Sequence, residues 1–415
     1  MTVTTTPSFI APAEHRHEPS SFDPTIDTKD APSIVTTLRT ADDTLKIYTR
    51  SSPNFETLRG LYNKLITHQP LVICRPQTIE QIQLIIRTAH AANPPIPVVP
   101  RCGGHDVYGR GLKPDSISID MRELDTQLLA EDRESIRIGG GVTSQNFVGF
   151  LDNHGLCTAN GTAGNVGWTG WAVWGGYGPL NDYVGLGVDN ILSAKLVLAD
   201  GSLVEADAGS ELLWGVRGAG GGLGVIVETT VKVYPMPVML AGFIAYQWGA
   251  SEKVLLGLQH LLDRGIPDTM CLQMGFMKTK WGVGMSLIFA WPDSKTLDEG
   301  RTWLETVRGL GEIQVDTVGE SKLLFLIRGI LGICFFCSIV VIVWIISPPV
   351  IFCLLLIADM DRQPRSRRFR RLRPAWWTTQ STSPLAAPQS ISSAPRLSPS
   401  CKSTPKPSPT VVSIM

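Results

Sequence analysis

Residues 98–109, VVPRCGGHDVYG, decide the fold, because an apolar run meets a glycine turn there and a histidine follows at once. Val98 and Val99 close the run, Pro100 stops it, and Gly103-Gly104 let backbone approach a ligand with no Cβ in between. His105 at the rim of such a turn reads as a metal ligand, a base, a point of covalent attachment or a satisfied polar residue. The tetrapeptide GGHD alone favours the last reading. Its surroundings change the balance.

Upstream, LVICRP (71–76) reads as a buried strand ended by Pro76. Thr78 is a helix N-cap, and Ile79, Ile82, Ile85, Ile86 and Ala89 mark one face of a helix running to about Ala92. IPVVP (96–100) is the next strand, so the order is that of a βαβ unit with a right-handed crossover. Phe55, Leu58, Leu61, Tyr62 and Leu65 recur at helical spacing and predict a short amphipathic helix over 55–66. Residues 1–54 begin with a stretch rich in Pro, Thr, Ser and Asp and read as a poorly ordered lead-in, with His15 and His17 as solvated bystanders. Their start has neither the basic residues nor the apolar core of a secretory signal.

Downstream, SISIDM (116–121) and SIRIGGG (135–141) are strands, and 143–154 is a helix with Phe147, Phe150 and Leu151 on one side. His154 at its C-terminal end complements the helix dipole. GTAGNVGWTGWAVWGGYG (161–178) carries seven glycines with Trp168, Trp171 and Trp174 three residues apart, poor material for a regular element. It reads either as a loop around a flat ligand or as a turn-rich segment packing its tryptophans into the core. ILSAKLVLADGSLVEA (191–206) is a hairpin turning at Asp200-Gly201. LLWGVRGAGGGLGVIVETTVKVYP (212–235) adds a glycine run and a strand. Gly218, Gly220 and Gly224 read GxGxxxG, one residue too long for the dinucleotide fingerprint and with no helix after it, so a Rossmann reading is rejected.

The 415 residues allow two domains, and the 40 glycines cluster between Gly139 and Gly224, which implies many close backbone approaches. Lysine plus arginine and aspartate plus glutamate both number 37, so total charge gives no reason to expect a nucleic-acid partner. The 8 cysteines show no spacing of a disulfide framework or zinc site, which permits a reducing, cytoplasmic setting. No metal site is expected. Cys102 and Cys157 read as small buried hydrophobes.

Three segments in this order, RCGGHDVYG, GNVGWTGWAVWGGYG with GLGVDNI close behind, and ADGSLVEA followed by LLWGVRGAGGGLGVIVETTVKVYP, resemble the FAD-binding domain of the vanillyl-alcohol-oxidase and p-cresol-methylhydroxylase (PCMH) type. Within that group the likeness is to berberine-bridge-enzyme-like oxidases, particularly fungal ones similar to 6-hydroxy-D-nicotine oxidase. The resemblance implies an α+β fold: a two-subdomain FAD-binding domain over 66–240, then a partial α/β substrate domain over 241–322. It places His105 where the family bonds a ring nitrogen to the flavin 8α-methyl, with Arg101, Gly103 and Gly104 leading to it. It sets Val166, Gly167, Gly175, Gly176, Tyr177 and Gly178 around the pyrophosphate, followed by Asp189 and Asn190, and Gly224, Val225 and Ile226 along the cofactor. Glycine-rich backbone offers N–H donors to phosphate oxygens, which suits that role. Doubly tethered members carry a cysteine where this chain has Ala163, so attachment through His105 alone is expected. The implied activity is hydride transfer from a small alcohol, amine or ring carbon to FAD, with O₂ as acceptor, in fungal secondary metabolism. The catalytic base is not identified; Tyr108, Tyr177 and Tyr183 are candidates by nearness to the motifs alone.

Residues 325–358, FLIRGILGICFFCSIVVIVWIISPPVIFCLLLIA, depart from that pattern. Gly329 to Ile346 is apolar apart from Ser338, the length of a bilayer span, and seven arginines follow between Arg362 and Arg373 before a Ser/Pro-rich tail completes 359–415. A transmembrane helix, an end replaced by unrelated sequence through a frameshift or retained intron, and a buried core helix all stay open. The first would make the protein membrane-associated; the first two allow a truncated or catalytically silent flavoprotein.

Overall fold

The computed structural model describes residues 33–279, 282–321 and 340–344. A four-stranded sheet comes first, in the order Lys46–Tyr48, Val72–Arg75, Ile117–Asp120, Val98–Arg101. Its last three strands are parallel, as a βαβ chain requires, and the outer Lys46–Tyr48 strand runs antiparallel. Thr78 caps the Ile79–Ala91 helix by accepting from the Gln81 N–H, and Ile82, Ile85, Ile86 and Ala89 are its buried face. The lead-in expectation for 1–54 needs correction. Ser33–Ala41 is a helix whose Ile34, Val35 and Leu38 join the same core as the Ile82 face, and Lys46–Tyr48 is paired strand. Few apolar residues suffice there because a preformed helix supplies their partner surface.

The expected helix over 55–66 is also shorter, Phe55–Arg59, ended at Gly60. Of its apolar positions, Tyr62 is 45% and Leu65 64% exposed.

At the carboxyl ends of the parallel strands, fully buried Asp120 accepts from Arg122 Nε at 2.7 Å and lies 3.3 Å from Arg75 Nε. A buried carboxylate without cationic partners would be strongly destabilising, so these arginines set the edge of the sheet.

A second, five-stranded antiparallel sheet has the order Gln127–Leu129, Ser135–Gly139, Val225–Lys232, Ile191–Val197, Leu203–Ala206. The hairpin at Asp200-Gly201 pairs Val197 with Leu203, as the sequence predicts. The Val225–Lys232 strand is shared between two cores: Val225 and Val227 pack with the first sheet, while Ile226 and Val231 pack with Phe147, Leu151 and Trp168. Alternation along a strand sends neighbours to opposite faces, so one strand can wall both compartments.

The third sheet is antiparallel, with Met239–Gln247 between Ile313–Asp316 and Gly282–Trp291, then Cys271–Thr279 and Val340–Trp344; Gly319–Ser321 also pairs with the first of these. One face, with Ile244, Tyr246, Met274, Leu287 and Phe289, packs against the helices Ser251–Arg264 and Leu297–Arg308. The other carries the cross-strand row Ala241, Ala290 and Cys271, and meets Val148, Ala159, Leu180 and Val184 of the first half.

Most of the apolar run 325–358 and all of 359–415 lie outside the described residues. Where the run is described it corrects the helical-span reading: Val340–Trp344 is a strand paired with residues 273–277, its backbone partners supplied by a sheet. Among the described residues no helix is long and apolar enough to cross a membrane.

Candidate functional site

The Val98–Arg101 strand delivers the glycine turn onto a second loop. A Cβ on Gly103 would lie 2.1 Å from the Asn165 carbonyl oxygen, so only glycine lets the two backbones meet there. Gly167 faces Cys102, whose Sγ–H donates to the Gly141 carbonyl at 3.1 Å; burial pushes that thiol up to about 12, which makes it packing material. Cys157 is buried, its thiol also pushed up to about 12, and donates to the Pro235 carbonyl.

His105 sits at the junction of the two loops. Its ring stacks on Tyr62 with centroids 4.6 Å apart and planes 20° from parallel. Burial holds the imidazole down at about 4, while a side-chain hydrogen bond with Asn165 acts in the opposite direction. The ring is therefore neutral at physiological pH, and Nε2 is buried without a hydrogen-bond partner. Neither Tyr62 nor Asn165 stood out in the sequence: Tyr62 fell inside an apparent helical period, and Asn165 among glycines.

Arg101 ends the strand that leads into the glycine turn, and its side chain reaches back to the preceding segment. Its guanidinium donates to the Leu58 carbonyl at 2.6 Å and the Gly60 carbonyl at 3.2 Å, clamping the segment that carries Tyr62; burial lowers it to about 10. Gly104 lies against Leu61 of that segment, and its carbonyl accepts from the Tyr62 N–H at 3.0 Å.

The 161–178 stretch follows the core-packing reading at Trp168 and not at Trp174. Trp168–Ala172 is a short helix whose Trp168 is buried and donates Nε1–H to the Ala159 carbonyl at 2.9 Å, while Trp174 is 58% exposed. The Val166 carbonyl accepts from the Ser144 N–H and starts the Ser144–Asn153 helix. Gly175 and Gly176 accept from the Val188 and Gly187 N–H groups, which fastens this loop to the next. A Cβ on Gly178 would lie 1.7 Å from the Asn160 carbonyl oxygen. Asn160 Oδ1, Thr169 Oγ1 and Ser144 Oγ, all buried, have no hydrogen-bond partner, and no motif or spacing singles these residues out.

Asp189 and Asn190 serve the backbone. The Asp189 carboxylate accepts from the Leu186 N–H at 3.0 Å, and the Asn190 amide donates to the Val184 and Leu186 carbonyls. Gly224 abuts Val197, and Val225 and Ile226 begin the shared strand.

Among the tyrosines, Tyr183 donates its hydroxyl to the Pro235 carbonyl at 3.2 Å, and burial raises both Tyr183 and Tyr177. Burial thus favours the protonated phenol in both. Tyr108, 71% exposed, lies 5.6 Å from the Arg110 guanidinium, which also stands 5.3 Å from the Trp174 ring. That cation bridges the rims of the two glycine loops.

The residues fit a flavin nucleotide: a neutral imidazole with an unpartnered nitrogen, buried hydroxyl and amide oxygens without partners, and glycine backbone where a Cβ has no room. Residues 70–207 match the family described as the FAD binding domain. The FAD-linked oxidoreductase aurO of Gibberella zeae is 55% identical over 316 residues, covering 76% of this chain and 62% of that protein. The (R)-6-hydroxynicotine oxidase of Paenarthrobacter nicotinovorans is 34% identical over 213 residues, 50% of this chain and 46% of the relative. The crystal structure of 6-hydroxy-D-nicotine oxidase from Arthrobacter nicotinovorans superposes with a TM-score of 0.62 at 27% identity, covering 69% of this chain and 63% of that one. Berberine bridge enzyme (G164A variant) shares the fold, with a TM-score of 0.62 at 20% identity. The chain thus spans less than two thirds of each of these relatives.

Proposed function

Since this chain belongs, through its FAD-binding domain, to the PCMH-type superfamily of FAD-linked oxidoreductases, we propose that it is an oxidase of a small organic molecule, working with FAD tethered at His105. Bound flavin would supply the two-electron chemistry, accepting hydride from an alcohol, amine or ring carbon and passing the electrons to O₂. The protein's share is positional. His105 offers a neutral ring nitrogen, and the 103–105 and 161–178 loops offer backbone N–H groups to the pyrophosphate. Ala163, in place of a second anchoring cysteine, supports a single link. The 55% identity to the FAD-linked oxidoreductase aurO of Gibberella zeae supports FAD-linked redox chemistry, and the likeness to fungal oxidases favours a place in secondary metabolism.

The observation that carries this reading is His105 itself: neutral by burial, with Nε2 unpartnered where the two glycine loops meet. Acid precipitation of the purified protein tests it. Flavin absorbance is expected in the washed pellet of the wild type and absent from that of His105→Ala. Peroxide release over a panel of alcohols, amines and phenolic ring compounds tests the activity; flavin in the pellet without peroxide from any of them would mark a catalytically silent flavoprotein.

A further inference from the structure

The segment from Leu58 to Ile66 lies outside the three motifs, yet it grips the His105 turn along its whole length. Arg101 donates to the Leu58 and Gly60 carbonyls, and Tyr62 N–H donates to the Gly104 carbonyl. Asn63 Nδ2 donates to the Val107 carbonyl at 2.8 Å. Leu61 packs on Gly104 and Ile66 on Gly109, both at positive φ. Four contacts of this kind fix a turn that glycines would otherwise leave loose.

At the centre of the collar the Tyr62 ring lies flat against the imidazole, while Asn165 hydrogen-bonds it from the other loop. An imidazole has one remaining freedom once its Cγ is placed, rotation about the Cβ–Cγ bond, and these two contacts restrict it. We propose that Tyr62 is a positioning residue for covalent flavin attachment, with Asn165 as its counterpart, so that His105 Nε2 is held toward the methyl carbon it bonds. This rests on the tethered-flavin reading above. In the step, the N–C8α bond replaces one methyl C–H bond and the ring N–H. The two hydrogens and two electrons leave through the flavin to dioxygen as hydrogen peroxide.

Attachment needs a lone pair on nitrogen, which burial preserves by keeping the ring unprotonated. It also needs orientation, and misplacing a reacting atom by about an ångström costs on the order of a hundredfold in rate. Because Tyr62 is 45% exposed, replacing it removes the orientation with little loss of packing.

The test reconstitutes full-length protein, freed of flavin by expression under riboflavin limitation, with excess FAD. Acid-stable flavin is followed against time, with thermal midpoints measured in parallel. Tyr62→Phe keeps the stack and is expected to attach flavin at the wild-type rate. Tyr62→Ala is expected to bind FAD that acid still releases, and to attach it at least about tenfold more slowly at an unchanged midpoint. Should Tyr62→Ala unfold, Asn165→Ala, on an exposed residue, carries the same expectation. Attachment at the wild-type rate in the folded alanine variant overturns the inference and leaves the tether intact. Wild-type protein whose flavin is fully released by acid overturns both.

Discussion

The two halves of the molecule keep their shape by different means. In the FAD-binding half, backbone touches backbone: Gly103 lies against Asn165 and Gly178 against Asn160, and three buried side-chain oxygens nearby have no hydrogen-bond partner. In the half built on the third sheet, large side chains fill one face, and the helices over it bury Tyr246, Phe289 and Trp291. The first half is therefore sensitive to an atom added at these loop contacts, and the filled face of the second to atoms removed. The contrast follows from role, since a ligand held by main-chain groups needs side chains out of the way, whereas a supporting sheet needs them in place.

The strongest test of this contrast deletes volume from the sheet half. Phe289→Ala should lose about 3–5 kcal/mol in urea unfolding, yet leave the fraction of acid-stable flavin per folded molecule unchanged. A drop in that fraction would show that the third sheet helps to organise the His105 turn.

Adding one methyl group gives the converse. Gly178→Ala puts a Cβ where the Asn160 carbonyl now lies and should cost about 1–3 kcal/mol or more. It should also reduce flavin retention. Gly319→Ala, in the sheet half with nothing within 4 Å of the added carbon, should fall within about 0.5 kcal/mol of wild type. Equal losses at both positions would erase the distinction.

A further effect is one of pH. In flavin-free protein the folded imidazole of His105 titrates at about 4 against an ordinary 6.5. Between those values the unfolded chain binds a proton that the folded chain does not, so stability falls as pH drops through the window. Urea titrations at stepped pH should show this slope in the wild type and a reduced one in His105→Ala. Tethered flavin should also reduce it, because the bonded nitrogen no longer serves as the same titrating group.

What was legible in the sequence was local. Thr78 announces its helix by side-chain chemistry, and Asp200-Gly201 announces a turn by backbone freedom. The motif glycines were legible as close approaches, but which backbone each one approaches was not, because Asn160 and Asn165 enter only through tertiary contact. The Ser33–Ala41 helix was missed for a related reason: three buried residues in a polar segment carry little periodic signal until the Ile82 face is beside them. Tyr62 misled in the opposite sense, since its helical spacing hid a side chain that faces the histidine. The structural bonds of Asp189 and Arg101, to a loop amide and to loop carbonyls, were not legible either, because their partners are set by the fold of the loops.

The strand Val225–Lys232 constrains anyone who wishes to cut this protein in two. Adjacent residues of a single ribbon belong to separate oily compartments, so no break between the first two sheets yields a fragment with an intact interior. Split reporters, domain swaps with relatives and permuted termini should be joined instead at residues 236–238, where the chain passes between elements and Val238 is exposed.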